Sequence, residues 1–213
     1  LLETILQVFK TCVGSKGSIV MPTFSFSFCK NEVFDVDPSR STDGVLTEYF
    51  RKQPDVQRTI QPIHSCAVFG HHQEDLLNIG KDSFGEKSIF GNLLKLKGKI
   101  VYFGATFLSS TFNHHIEQMH GIPYRYIKNF KGTIVNGNKR YDDDYTFNVR
   151  YIDKNVNDYP SRFGRFLLDN NLMKKMHIGD GTISAIDSEI LFQEGWKKLD
   201  QDIFYFLKDK PDL

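Results

Sequence analysis

Residues 98–104, with the sequence GKIVYFG, are the stretch that decides the fold. Their β-branched and aromatic side chains lie between two glycines, a pattern typical of a buried strand. Apolar residues at helical spacing flank this strand, over residues 88–96 before it and 111–120 after it. Strands that alternate with helices favour layered packing. We therefore predict an α/β protein, with a layered α/β/α domain around a central sheet.

Further elements extend this alternation towards both ends of the chain. Helices are predicted over residues 1–13, 74–79, 162–175 and 188–207. A further helix is predicted through VLTEYFRKQ, with Thr42 or Asp43 as its N-cap. Strands are predicted over residues 17–21, 65–70 and 177–185. Residues 23–41 carry no period and predict a long loop, a length that tends to be functional in compact domains. Asn136-Gly137 between two extended runs predicts a β-hairpin insertion, which makes the sheet mixed.

Length and composition indicate one domain over residues 1–213, without a nucleic-acid or membrane partner. The 27 basic and 26 acidic residues give a net charge of +1, and no basic stripe typical of nucleic-acid binding is visible. No apolar run is long enough for a membrane span, and no secretory signal is recognisable. The three cysteines are widely spaced, as in a reduced, cytoplasmic protein. The oligomeric state stays open.

His64 is the first candidate for chemistry, because it stands directly before the predicted strand SCAVFG. The strand would fix its backbone while the ring faces a cleft, and an imidazole with an ordinary pKa of about 6.5 is a natural proton acceptor. The alternative is a hydrogen-bonded structural histidine. Cys66 would face the same side of an extended strand and is a conceivable nucleophile. Its apolar surroundings favour an inert thiol instead.

Asn113, His114 and Glu117 lie on the helix that follows GKIVYFG. Glu117 is expected at the margin between core and solvent, where a carboxylate can orient an imidazole; a solvated polar face is the alternative. His114 and Glu117 have the i, i+3 spacing of a metal site, but no third ligand is evident, so we predict no metal. Dinucleotide, P-loop and serine-hydrolase motifs are absent from the sequence.

Four segments carry a resemblance to a known family: GSIVMPTFSFS from residue 17, DGVLTEYFRKQPDVQRTIQPIHSCAVFG from residue 43, FGEKSIFGNLLKLKGKIVYFGA from residue 84 and STFNHHIEQMHGIPYR from residue 110. In this order and spacing, over about residues 1–125, they resemble the aminoglycoside 3-N-acetyltransferases, the antibiotic N-acetyltransferase family. The resemblance implies transfer of an acetyl group from acetyl-CoA to an amine of a small-molecule acceptor.

The resemblance also implies roles for individual residues. His64 matches the histidine of the family's His-Pro-Thr-His-Ser motif and would be the general base, while Glu117 would orient it or contact the amine. The cofactor groove is expected at Thr23, Ser25, Gly44, Leu46, Ser65 and Ser88. Acceptor contacts are expected at Asn113, His114 and Tyr124. Residues 125–160 are expected to form a subregion on the acceptor side.

The chain departs from the family pattern at Gln61 and Ile63, which replace a histidine and a threonine. The hydroxyl of the threonine is therefore missing, and Ser65 is its nearest substitute. The family's N-terminal strand is also expected to be absent, which leaves the completeness of the CoA site open. The near-neutral charge favours an amino-sugar-like acceptor over a polycation. Two alternatives are a 3-N-acetyltransferase that confers resistance to aminoglycosides and a binding module without catalysis.

Overall fold

Helices and strands alternate along the computed structural model, which describes all 213 residues. The helices are α1 Leu2–Val13, α2 Val45–Phe50, α3 Gln73–Leu77, α4 Ile89–Lys95, α5 Phe112–His120, α6 Ser161–Asp169 and α7 Ser188–Gln201. The strands are β1 Ser18–Pro22, β2 Phe34–Asp35, β3 Gln57–Arg58, β4 Cys66–Gly70, β5 Lys99–Phe103, β6 Arg125–Asn136, β7 Lys139–Arg150, β8 Lys174–Ile178 and β9 Gly181–Asp187. The predicted α/β class is confirmed. No helix is both long and apolar enough to cross a bilayer.

The strands form three three-stranded sheets, in the orders β1-β4-β3, β2-β6-β7 and β5-β9-β8. β1 and β3 both pair antiparallel with β4, and β5 and β8 both pair antiparallel with β9. β2 pairs parallel with β6, so the sheet that contains the hairpin is the mixed one. The pairing thus differs from the expected single central sheet. β5 finds its partner about 80 residues further along the chain, and local patterns do not specify such long-range pairing.

The chain packs as two compact units. The first unit comprises Leu1–Ser83, Lys87–Ile89 and Lys128–Phe147; the second comprises Phe84–Glu86, Phe90–Ile127 and Asn148–Leu213. The expectation of one domain over residues 1–213 stays a prediction.

The long loop after β1 is fixed by buried aromatic side chains of the first unit. Phe28, in a 3-10 turn, and Phe34, in β2, are 2% and 0% exposed. They belong to an apolar cluster with Val36, Ile63, Ile134 and Tyr145. Burying a phenylalanine contributes about 1.5–3 kcal/mol, so this loop is a packed element rather than a loose connection. A second cluster joins α1, α2, β1 and β4 through Leu6, Ile19, Met21, Phe50 and Ala67.

The C-terminal part of the second unit corrects two predictions. The helix predicted over residues 162–175 ends at Asp169, because Asn171 takes a left-handed conformation with φ of 58°. Asparagine tolerates this conformation better than most residues. The strand predicted over residues 177–185 is a hairpin, β8 and β9, which turns at Gly179 with φ of 56°. The hairpin predicted at Asn136-Gly137 is confirmed as β6–β7.

The N-terminus of α2 corrects a third prediction. The helix begins at Val45, and Gly44, with φ of 124°, is its N-cap residue. Neither Thr42 nor Asp43 caps it, because both side chains bond Phe24 in the loop: the Asp43 carboxylate accepts the Phe24 N–H, and the Thr42 hydroxyl donates to the Phe24 carbonyl. Both residues fasten the loop to the helix start instead.

Candidate active site

The Pro-Ile-His-Ser turn at residues 62–65 is covered by the loop that follows β1. Three backbone hydrogen bonds join the two segments: Thr23 N–H to Ser65 O at 2.8 Å, Phe26 N–H to Ile63 O at 3.3 Å and Ser27 N–H to Pro62 O at 2.9 Å. These bonds continue the β1–β4 ladder beyond the ends of the strands. The candidate base is therefore held on a pair of hydrogen-bonded segments, not on a free loop.

His64 is 4% exposed and lies among three phenylalanine rings. The centroid distances from its ring are 4.9 Å to Phe24, 5.1 Å to Phe26 and 4.8 Å to Phe147, all with edge geometry. Phe26 has φ of 53°, which is rare for a bulky side chain and costs about 1–3 kcal/mol. Such strain clusters at functional sites, and here it lies in direct contact with His64.

Ile63, one of the two residues that depart from the family motif, belongs to the core. It is 0% exposed and packs in the same apolar cluster as Phe34 and Ile134. A buried hydroxyl without a partner is costly, so isoleucine suits this position. The missing hydroxyl was expected to be replaced by Ser65, but the Ser65 hydroxyl donates to the Thr23 carbonyl at 2.6 Å.

Arg58 organises the polar groups beneath the turn. Its Nε donates to the hydroxyls of Thr23 and Ser65, both at 3.1 Å. Its Nη1 donates to the carbonyls of Val36, at 3.0 Å, and Ser39, and its Nη2 donates to the carbonyl of Thr23. Burial lowers the pKa of Arg58 to about 10. The guanidinium thus stays charged at neutral pH and ties the long loop to β3 and β4.

A polar groove of about 660 Å³ lies along the loop and the start of α2. Two of the six predicted cofactor contacts, Ser25 and Gly44, line it. Two cations, Lys30 and Arg40, line it as well, and Lys30 Nζ donates to the Ser25 carbonyl at 2.8 Å. Hydroxyl, backbone and cationic groups therefore meet on one surface of the first unit, together with the carboxylates of Glu32 and Glu48.

The other four predicted cofactor contacts are not among the residues that line this groove. Thr23 and Ser65 are 1% exposed or less and are engaged with Arg58. Leu46 packs against the apolar cluster of α1 and β1, and Ser88 is buried immediately before α4. Their contacts with a cofactor stay predictions.

Glu117 lies in the second unit and is 1% exposed, not at the margin of the core as expected. Its Oε2 lies 3.0 Å from Arg125 Nε and 2.7 Å from His114 Nδ1, and its Oε1 accepts the Tyr124 hydroxyl at 2.9 Å. Arg125 also pairs with Asp158. Burial alone would raise the pKa of Glu117, but the Arg125 charge and the two side-chain bonds together lower it. The carboxylate is therefore ionised although it is enclosed.

The three predicted acceptor contacts differ in their access to solvent. Tyr124 is 0% exposed, and burial together with the neighbouring Glu117 raises its pKa. Asn113 is 3% exposed, and its Oδ1 accepts the Ser110 hydroxyl at 3.3 Å. The His114 side chain is 28% exposed, with Nδ1 bonded to Glu117. His114 is thus the accessible member of the set, and all three contacts stay predictions.

The structure also bears on the two alternative chemistries. No group of three or more His, Cys, Asp or Glu side chains lies together in a way that could hold a metal ion. Complete burial raises the pKa of Cys66 well above its ordinary value. Because the thiolate is the nucleophile, this position does not suit covalent catalysis.

Sequence reasoning gave no role to four residues that organise these sites. Arg58 and Gln61 lie within a motif that the family resemblance covers. The long polar side chain of Gln61, between Ile60 and Pro62, was a signal of buried hydrogen bonds, whereas Arg58 stands between the polar Gln57 and Thr59. Lys30 and Arg125 carry no local signal, because a single charged residue beside a turn or at a strand start is usually exposed.

Comparison with solved structures gives the class of the fold. The chain superposes on aminoglycoside acetyltransferase AAC(3)-IVa, as the apoenzyme, with a TM-score of 0.80 at 24% identity, covering 98% of this chain and 78% of that one. AAC-IIIb, in a binary structure with CoASH, superposes with a TM-score of 0.79 at 20% identity, covering 99% of this chain and 86% of that one. AAC-VIa bound to sisomicin superposes with a TM-score of 0.81 at 19% identity, covering 94% of this chain and 84% of that one. These likenesses show a shared fold.

The chain belongs to the aminoglycoside 3-N-acetyltransferase family, whose model matches residues 2–200. A similar protein is the SPbeta prophage-derived aminoglycoside N(3')-acetyltransferase-like protein YokD of Bacillus subtilis (strain 168), 28% identical over 165 residues, with 66% of this chain and 60% of the relative covered. Another is aminoglycoside N(3)-acetyltransferase IV of Salmonella sp, which is 24% identical over 210 residues, with 95% of this chain and 76% of the relative covered. The match thus spans less than two thirds of the YokD relative's length.

Proposed function

We propose that this chain is an acetyl-CoA-dependent N-acetyltransferase that acts on an amine of a small, polar, amino-sugar-like acceptor. His64 is its general base. The observation that carries the proposal is the place of His64 on a hydrogen-bonded turn next to the loop that forms the polar groove. Family membership supplies the reaction class.

The groove of the first unit suits the donor. Coenzyme A is anionic, and Lys30 and Arg40 line the groove with cationic groups, together with the carboxylates of Glu32 and Glu48. Arg51 and Lys52 pair with Glu48, so that carboxylate is neutralised within the protein. Ser25 and the backbone of Gly44 line the groove beside them; the Ser25 hydroxyl donates to the Pro62 carbonyl and accepts from Ser27, both at 3.0 Å. We assign Ser25 and Gly44 to donor binding on this ground. The related protein AAC-IIIb, solved with CoASH, supports the same class of donor.

The chemistry requires a positioned proton acceptor. The donor supplies an acetyl group activated as a thioester. The attacking amine forms a bond to the carbonyl carbon and loses a proton, which the His64 imidazole accepts. The same imidazolium can return the proton to the departing thiolate, so the reaction balances without a metal or a covalent enzyme intermediate. Glu117 orients the base or contacts the amine, and its ionised state serves either role.

Replacement of His64 tests this proposal directly. We expect His64→Ala to lower kcat by at least about 10², since a positioned base contributes about 10²–10⁴ in rate. His71→Ala, at an exposed position of the same unit, is the matched control and should keep its activity. Circular dichroism and thermal unfolding would verify that both variants fold. Near-normal turnover of folded His64→Ala would remove His64 from the mechanism.

Titration with acetyl-CoA separates this function from a binding module that has lost catalysis. An active enzyme should bind acetyl-CoA and release CoA thiol when an amine acceptor is added. A degenerate module should bind no donor. Binding without thiol release, over a broad panel of amines, would indicate that the site is complete for the donor but lacks chemistry.

A further inference from the structure

Gln61 is a buried amide, 1% exposed, at the start of the turn that carries His64. Its Oε1 accepts two consecutive backbone N–H groups, those of Ile63 and His64, both at 2.7 Å. Its Nε2 donates to the Ser83 hydroxyl at 2.9 Å. A buried polar side chain is tolerated when its bonds are satisfied, and this amide uses both of its ends.

The far end of this bridge leads back to the ring of His64. The Ser83 N–H donates to the Thr146 carbonyl in β7 at 3.0 Å. The next residue, Phe147, packs edge-on against the imidazole, with the two ring centroids 4.8 Å apart. The Gln61 amide and Ser83 therefore link the backbone of His64 to the strand that carries Phe147, which packs against its ring, all within the first unit.

The chemistry of the side chain explains why glutamine stands here. An amide oxygen has two lone pairs and can accept both N–H groups of the turn, while its nitrogen donates in the opposite direction. An imidazole, the side chain of the family motif at this position, has one acceptor nitrogen at most. Glutamine thus forms a bridge that the motif's histidine cannot reproduce with the same set of bonds.

We infer that Gln61 is a positioning residue for His64, which sets the orientation of the imidazole by holding its backbone and by connecting it to β7. The inference rests on the proposed function for its kinetic effect but not for the geometry itself. Gln61 acts only through His64. Misplacing a reacting group by about 1 Å can cost about 10²-fold in rate, so loss of the bridge should be visible in kcat.

Three variants test the inference. Gln61→Met preserves length but removes all three bonds; Gln61→Glu retains the two acceptor bonds to the turn. Gln73→Met is the matched control, because Gln73 also holds two backbone carbonyls of the first unit, those of Asp55 and Val68 at 3.0 and 2.7 Å. We expect Gln61→Met to lower kcat by about 10- to 100-fold with the KM for acetyl-CoA within about twofold. Gln61→Glu should recover most of this loss, and Gln73→Met should keep kcat.

A second readout does not depend on activity. In histidine-selective NMR spectra, with His64 assigned by His64→Ala, Gln61→Met should shift or broaden the His64 ring signals, whereas Gln73→Met should leave them in place. Unchanged His64 signals in folded Gln61→Met would overturn the inference. An equal loss of kcat in Gln61→Met and Gln73→Met, with the same fraction of each variant folded, would also overturn the inference. If the wild type transfers no acetyl group, the proposed function fails, and the ring signals still decide the role of Gln61.

Discussion

Glu117 retains its charge inside the second unit because its surroundings replace the lost water. Arg125 supplies the opposite charge, while His114 and Tyr124 supply hydrogen bonds. Arg125 keeps a second carboxylate partner in Asp158. Breaking a buried ion pair by removing one partner usually costs about 3–5 kcal/mol, since a charge is left uncompensated. Glu117, a single residue of α5, thus contributes to the stability of the second unit, and its role in catalysis stays a prediction.

The turnover of Glu117→Gln should fall, but less than that of His64→Ala. The amide keeps the shape and some hydrogen bonds of the carboxylate but removes the charge that would orient the base or the amine. Glu189→Gln, on α7 of the same unit and 43% exposed, is the control. Steady-state kinetics of the three variants would check the order. A Glu117→Gln enzyme with the turnover of the control would exclude both roles of Glu117.

At the scale of elements, α2 depends on Glu48 more than on its N-cap residue. Gly44 has no side chain with which to cap the helix. Glu48 instead accepts the Ser41 N–H at 3.0 Å and pairs with Arg51 at 2.6 Å and Lys52 at 2.9 Å. The Glu48 carboxylate therefore connects the end of the long loop to the helix by hydrogen bonds, and Glu48 also lines the polar groove.

This arrangement predicts a pH-dependent contribution to stability. The hydrogen bonds from Arg51 lower the pKa of Glu48 to about 2, below its ordinary value of 4.5. A lowered folded-state pKa gives stability that is present above about 4.5 and lost as the pH falls towards 2. Glu48→Gln should therefore be less stable than the wild type at pH 6, by about 1–2 kcal/mol. The difference between the urea midpoints of the wild type and Glu48→Gln should be smaller at pH 3 than at pH 6. An equal difference at both pH values would contradict this account.

Two helix glycines give a second prediction at this scale. In α6, a Cβ at Gly164 would lie 2.7 Å from both Cβ and Cγ of Phe107, at the root of a buried side chain. In α7, a Cβ at Gly195 would lie 2.7 Å from the Cδ1 tip of Ile116. Alanine gains about 1 kcal/mol of helix propensity at either site. Overpacking costs about 1–3 kcal/mol. The Cβ and Cγ atoms of Phe107 can move less to relieve the clash than the terminal methyl group of Ile116 can. Thermal unfolding should show Gly164→Ala to be the more destabilised variant; equal effects would refute the packing argument.

At the scale of the whole molecule, the chain is nearly neutral, with a net charge of +1. A polycationic acceptor would gain little from long-range attraction to such a surface. The acidic run Asp142–Asp144 is already engaged: Lys81 pairs with Asp143, and the side chains of Thr133 and Asn129 donate to its two neighbours. The charge distribution therefore favours an acceptor with a single amine over a multiply charged one.

Salt dependence of acetyl transfer tests this view. Salt screens exposed charges over about 8–10 Å at moderate ionic strength. We expect kcat/KM for a monoamino sugar such as glucosamine to change little between low and moderate salt, and activity on gentamicin-like acceptors to be poor. Measuring both acceptors with the same enzyme supplies the internal control. Efficient acetylation of the polycation, with a steep decline as salt rises, would instead support resistance to aminoglycosides as the function.

The sequence alone determined the elements whose signals are local. GKIVYFG is β5, the apolar period of residues 1–13 is α1, and Asn136-Gly137 is the turn of a hairpin, because strand propensity, helical period and turn conformation are properties of neighbouring residues. The motifs around His64 and Glu117 also indicated the family, which the family model confirms over residues 2–200.

Only the tertiary structure decided which polar groups are buried and which partners they have. Thr23 and Ser65 face Arg58, which comes from a separate strand, and Glu117 is enclosed by a residue of β6. The pairing of β5 with β9 and the bridge from Gln61 to Ser83 likewise join distant parts of the chain. Burial and hydrogen bonding between such segments depend on how the elements pack, and packing leaves no periodic trace in the sequence of either partner.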